Sequence, residues 1–209
     1  MILEKIVVGA LATNCYIIAS DEDSKAAVID PGADAPEILQ RLKALNLDLE
    51  LIINTHGHYD HTGADSDLAH EYPVPVYIGS KDIGMLNDPS KNLSLYLGER
   101  SNQVETVKEL KEGQILEMGE LEIRTIETPG HTKGSISLLV QSNLFTGDLL
   151  FQGSVGRTDF PDSSYADLLK SLNKIADLPD ETLVYPGHGP ATVLGEEKQT
   201  NPFLKEAVK

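Results

Sequence analysis

The stretch Leu49-Glu50-Leu51-Ile52-Ile53-Asn54-Thr55-His56-Gly57-His58-Tyr59-Asp60-His61 decides how this chain is read. Residues 49–53 form a short apolar run, the pattern of a strand covered on both faces. The run leads directly into four ligand-type side chains in six positions: His56, His58, Asp60 and His61. Two residues apart in an extended loop, His56 and His58 project to the same side. Asp60 and His61 open the next helical segment. Imidazole nitrogen together with carboxylate oxygen suits zinc, iron or manganese. A lone histidine such as His70, on a helical stretch, is more often a surface or satisfied core residue. Four ligand types on one loop after a buried strand have no comparable structural explanation.

Outward from this loop, the same local pattern recurs three times. Expected strands at 121–127, 143–145 and 182–184 end in Thr128-Pro129-Gly130-His131, Thr146-Gly147-Asp148 and Tyr185-Pro186-Gly187-His188. Each glycine permits a sharp backbone turn that aims the next side chain inward. Strand ends are also where open α/β folds place their sites. The other β-like runs are 2–8, 15–19, 26–29 and 74–78, with a turn at Asp21-Glu22-Asp23-Ser24 and hairpins across Gly119-Glu120 and between 135–140 and 143–146. Helical spacing is expected over 36–45, 64–70, 81–86 and 165–175, and after Asn201-Pro202. Segment 87–102 is polar with scattered leucines and reads as a surface excursion over the site. This order predicts a layered α/β fold, two sheets inside and helices outside.

Composition narrows the function. Hydrophobic residues make up 40% and charged residues 24% of the 209 positions, which fits a globular domain. The net charge of −16 disfavours nucleic acid and anionic membranes as partners, since both are bound through cationic side chains. No apolar stretch reaches the roughly 20 residues of a membrane span. The N-terminus lacks a signal-peptide pattern, so a cytoplasmic protein is expected. The single cysteine, Cys15, lies in an apolar run and reads as a buried small residue.

These motifs resemble the metallo-β-lactamase superfamily, and within it the short glyoxalase II-like hydrolases. The resemblance runs from Asn14-Cys15-Tyr16 and Ile29-Asp30-Pro31-Gly32 through the histidine cluster. It continues along Ser154-Val155-Gly156-Arg157-Thr158-Asp159 to the tail Thr200-Asn201-Pro202-Phe203-Leu204. It implies a four-layer αββα sandwich, with 1–209 as a single domain. It assigns His56, His58 and His131 to one divalent metal, Asp60, His61 and His188 to a second, and Asp148 to both. Related lactamases typically carry cysteine or serine in place of Asp148, which argues against a β-lactam as the natural substrate. Only 21 residues follow His188, too few for the C-terminal helical domain of classical glyoxalase II.

The expected reaction is hydrolysis of a small-molecule thioester of the hydroxyacylglutathione (S-lactoylglutathione) type. A hydroxide shared by two metals, zinc foremost with iron or manganese as alternatives, would attack the carbonyl, with Asp60 as its hydrogen-bond acceptor. Arg157 could pair with a substrate carboxylate, although an internal bridge to Asp159 or Asp162 is the stronger expectation. Tyr59 could line the pocket or simply pack. Two rivals share the motif. In a persulfide dioxygenase, one iron would sit on His56, His131 and Asp148. A non-enzymatic metal-binding or redox scaffold would carry the same ligands without turnover.

Overall fold

Strand alternation explains why the protein is built in four layers. The computed structural model describes residues 1–20, 24–98 and 103–209. Strands β1 (Ile2–Val8), β2 (Thr13–Ala19), β3 (Lys25–Ile29), β4 (Asp48–Asn54), β5 (Val76–Gly79) and β6 (Val107–Leu110) form a first sheet in sequential order. Along β2, Cys15, Ile17 and Ala19 face one way, and Tyr16 and Ile18 face the other; all are buried. The first set packs under helices α1 (Ala35–Ala44) and α3 (Asp65–Glu71) through Ile38, Leu42 and Leu68. The second set meets the other sheet. A strand covered on both sides must be apolar at nearly every position, as β2 to β4 are. One-turn helix α2 (Tyr59–Thr62) lies between β4 and α3, and short helices α4 (Ile83–Leu86) and α5 (Ser94–Leu97) follow β5.

The second sheet holds β7 (Ile115–Met118), β8 (Leu121–Glu127), β9 (Ile136–Val140), β10 (Asn143–Gly147), β13 (Leu183–Pro186) and β14 (Thr192–Val193), in the order β14-β13-β10-β9-β8-β7. A small hairpin, β11 (Leu150–Phe151) with β12 (Ser154–Val155), stands apart. Between the sheets, Ile53 and Tyr77 pack with Ile123, Leu138 and Phe145. Outside the second sheet lie α6 (Tyr165–Ala176), α7 (Leu194–Thr200) and α8 (Pro202–Ala207). The αββα expectation therefore holds. No described helix is long and apolar enough to cross a membrane, and Cys15 is buried.

Helix α6 shows the sequence logic at work. Ser164 caps it by accepting from Asp167 N at 3.2 Å, and Leu168, Leu172 and Ile175 fall on one buried stripe. Replacing Leu172 with alanine should cost about 2–5 kcal/mol, read as a lower denaturant midpoint at unchanged slope. An unchanged midpoint would contradict this packing.

Several elements escape sequence patterning. Strand β6 has two exposed charges, Lys108 and Glu109, because it is a sheet edge. The two-residue strands β11, β12 and β14 are too short to show a period. Helix α7 buries only Leu194, Gly195 and Glu197. Of the expected turn at Asp21 to Ser24, the first three positions lie outside the described residues. So do residues 99–102, the end of the expected excursion. The part that is described reaches the site, because Asn92 O accepts from Tyr59 N at 2.8 Å.

Candidate metal centre

Four strands of two sheets end at one edge, and their terminal loops meet there. After β4 come His56, His58, Asp60 and His61; after β8, His131; after β10, Asp148; after β13, His188. The sheets are joined at this edge by Ile136 N donating to Thr55 O at 2.8 Å. All seven predicted side chains converge, and His70 lies exposed elsewhere on α3. The ligating atoms fall into three overlapping groups: His56, His58 and His131; His56, His61 and Asp148; and Asp60, His61 and His188. Within each group the atoms are no more than 4.8 Å apart. Asp148 lies between the halves, 3.4 Å from His61 Nε2 and 3.5 Å from His131 Nε2.

The second-layer bonds fix which nitrogen of each ring faces inward. A carbonyl only accepts, so His131 Nδ1–H donates to Arg157 O at 2.8 Å and leaves Nε2 bare toward the centre. Thr55 gives its one hydroxyl proton to Asp30 at 2.7 Å, so at 3.2 Å it accepts from His56 Nδ1. His61 Nδ1 lies 3.0 Å from the same Asp30 oxygen, Oδ2. The inward atoms are then left without partners: His56 Nε2, His61 Nε2 and Asp148 Oδ1 are buried and accept or donate no hydrogen bond. Orphaned buried polar atoms are costly, and three converging on one point fit a cation that would satisfy them together. Across the first half, His58 Nδ1 and His131 Nε2 are 2.9 Å apart.

The electrostatics agree. Burial, reinforced by the neighbouring rings, drives His56 well below the ordinary histidine value and holds His58 at about 3. Both are neutral imidazoles, the form that ligates. His61 is the opposite case. Burial alone would lower it, but Asp30, Asp60 and Asp148 outweigh burial and raise it to about 10. Asp60 is pushed up by burial yet ends below the usual carboxylate range, because His61 and His188 stand beside it. Three carboxylates around one buried ring mark a place for positive charge.

The three glycines do not all serve the same purpose. Gly130 and Gly147 have positive φ, +150° and +49°, as a turn-forming role requires. Gly187 does not. There a Cβ would stand 2.5 Å from Asp148 Oδ1 and 2.6 Å from His61 Cε1, so glycine makes room for the centre itself. The guanidinium of Arg157 is engaged by Asp159 at 2.9 and 2.8 Å and lies over the Phe160 ring, the internal bridge that ranked first. Half-buried Tyr59 lines a groove of about 700 Å³ with Leu11, Thr13, Asp60 and Leu97.

Sequence reasoning gave no role to Asp30 or to Asp82. Both are carboxylates with 1% exposure, and each accepts from a backbone N–H of the histidine loop, Asp30 from Thr55 and Asp82 from Gly57. The Asp-Pro-Gly punctuation after β3 was the available signal for Asp30. For Asp82 there was none.

The metallo-β-lactamase superfamily profile matches residues 8–188. A hydroxyacylglutathione hydrolase, GloC, of Haemophilus influenzae is 37% identical, and the match covers 98% of each chain. Among solved structures, the B3 metallo-β-lactamase BLEG-1 is 37% identical with a TM-score of 0.89, over 97% of this chain and 99% of its own. A protein crystallised in a di-iron-bound form is 34% identical with a TM-score of 0.86, over 96% and 99%.

Proposed function

Because the chain belongs to the metallo-β-lactamase superfamily, we propose that it is a metal-dependent hydrolase acting on thioesters of the hydroxyacylglutathione type. The supporting observation is the pair of ligand groups at one sheet edge, with Asp148 in reach of both. In this reading His56, His58 and His131 hold one divalent cation. Asp60, His61 and His188 hold the second, and Asp148 serves both. The donor set suits zinc best and also accepts iron or manganese. Such a pair, when bound, supplies water deprotonated near neutral pH and polarises a carbonyl oxygen.

The chain's own residues do the rest. Arg157 O and Thr55 fix the tautomers of His131 and His56, so neither ring must reorganise during turnover. Asp60 faces the groove beside Tyr59 and Leu97, where the reacting carbonyl would enter. Its carboxylate accepts the hydrogen bond that orients the attacking water. A thiolate leaves readily, so its departure needs little help from an acid. Tyr59 stays a contact candidate for the substrate. Arg157 can serve only where an anionic group displaces Asp159.

The test is a substrate panel on protein of measured metal content. Cleavage of S-lactoylglutathione that is lost on chelation and restored by metal is the expected result. The panel includes a β-lactam, because a B3 lactamase is among the similar structures. Persulfide-dependent oxygen uptake with one iron per chain, and no thioester cleavage, would replace this reading with a dioxygenase.

A further inference from the structure

Asp82 stands immediately before α4, behind the histidine loop, and its carboxylate is 1% exposed. Its Oδ2 accepts from Gly57 N at 3.0 Å and from Thr132 Oγ1 at 2.6 Å, and its Oδ1 accepts from Gly134 N at 2.7 Å. Gly57 separates His56 from His58, and Thr132 directly follows His131. One side chain therefore grips both loops that carry the first ligand group. Those loops come from different sheets, after β4 and after β8. No bond of this carboxylate reaches Asp60, His61 or His188.

The approach is also sterically exclusive. A Cβ on Gly57 would stand 2.7 Å from Met85 Cβ, and one on Gly134 would stand 2.5 Å from Asp82 N and Oδ1. Three donors on one buried carboxylate offset the cost of burying its charge. Without it, the N–H groups of Gly57 and Gly134 would lose their acceptor in the interior, and the Thr132 hydroxyl would be left with Ser135 Oγ at 2.6 Å. Asp30 reaches the other half directly, at His61 Nδ1, and touches the first half through Thr55, which accepts from His56.

We propose that Asp82 is a positioning residue that sets the separation of His56 and His58 from His131, and so governs cation binding at the first ligand group alone. This rests on the two-cation reading above. The experiment is a stepwise zinc titration of metal-free full-length protein, with total metal measured independently, on wild type, Asp82→Asn and Thr132→Val. Asp82→Asn should weaken one of two binding events by about 10–100-fold and leave the other within about threefold. Thr132→Val loses one bond of three, and should shift the same event by less while keeping the fold if Asp82→Asn does not fold. Imidazole nitrogen resonances identify the affected event. Those of His56, His58 and His131 should lose their response to the first equivalents of zinc, while those of His61 and His188 keep theirs. Equal weakening of both events alongside a lower melting point would mean a merely structural carboxylate and overturn the proposal. Unchanged binding in both variants would overturn it too. Wild type that binds no divalent cation would sink the two-cation reading first, and this inference with it.

Discussion

Asp148→Ala should strip bound metal from the protein and lower thioester hydrolysis by at least about 10³-fold, equivalent to about 4 kcal/mol of transition-state stabilisation. Asp148 reaches both halves of the centre: Oδ1 lies 3.4 Å from His61 Nε2 and 3.8 Å from His188 Nε2, and Oδ2 lies 3.5 Å from His131 Nε2. Its Oδ1 has no hydrogen-bond partner despite burial, and it faces the His61 and His188 ring nitrogens of the same centre. The carboxylate is held in place for others. Gly147 turns it inward, and Gly156 packs so closely that a Cβ would meet Asp148 O at 1.8 Å. A residue that faces the centre but supports no packing should leave the metal-free melting point within a few degrees when truncated. Metal analysis, melting of the metal-free form and the thioester assay test the three parts separately. Retention of two metals with most of the activity would show that the bridging role is wrong.

How much of this was legible in the sequence depended on whether the cause was local. Segment 49–61 was readable because strand burial and ligand chemistry are both written in adjacent residues. The amphipathic stripe of α6 was readable for the same reason. The Gly-His and Gly-Asp pairs point to the side chains that converge with the histidine loop, yet the reason for one glycine was hidden. Gly187 is required by the approach of Asp148 and His61, residues 39 and 126 positions away in the chain. Asp30 and Asp82 were missed as site residues because each lies 25 positions from the loop amide it receives. Nothing beside Lys81-Asp82-Ile83 distinguishes a buried clamp from a solvated charge. The tail Asn201-Pro202 read as a helix start, and Asn201 does cap α8. It also donates to Glu197, Phe151 O and Ser154 O, which ties the tail to the β11–β12 hairpin. Edge strand β6 alternated too little to be seen, since a strand paired on one side keeps polar residues where water reaches it.

Gly32→Ala should be the most damaging single methyl in the protein. A Cβ at Gly32 would fall 1.5 Å from Asp60 O and 2.4 Å from Asp60 C. These are backbone atoms, which cannot rotate away as a flexible side chain would. The two segments interlock from both sides, because a Cβ on Gly63 would meet Gly32 O at 2.4 Å, and Ala64 N donates to Pro31 O at 2.9 Å. Asp30, two residues earlier, is itself held at φ +54° with its N–H on Ile53 O. The turn can therefore move only by giving up the contacts that order Thr55 and His61. Overpacking of this depth should cost more than about 3 kcal/mol, out of a total of about 5–15. For a chain of this size that is a fall of roughly 10 °C in melting temperature. The damage should also be lopsided. Gly32 presses on the backbone of Asp60 and His61, so the cation at the second ligand group should weaken more than the one at His56, His58 and His131. That is the reverse of the order expected for Asp82→Asn. Melting curves and zinc titration of the Gly32→Ala protein read both effects. A melting point within about 2 °C of wild type would mean that the Asp30-Pro31-Gly32 turn does not approach Asp60 as closely as the fold requires.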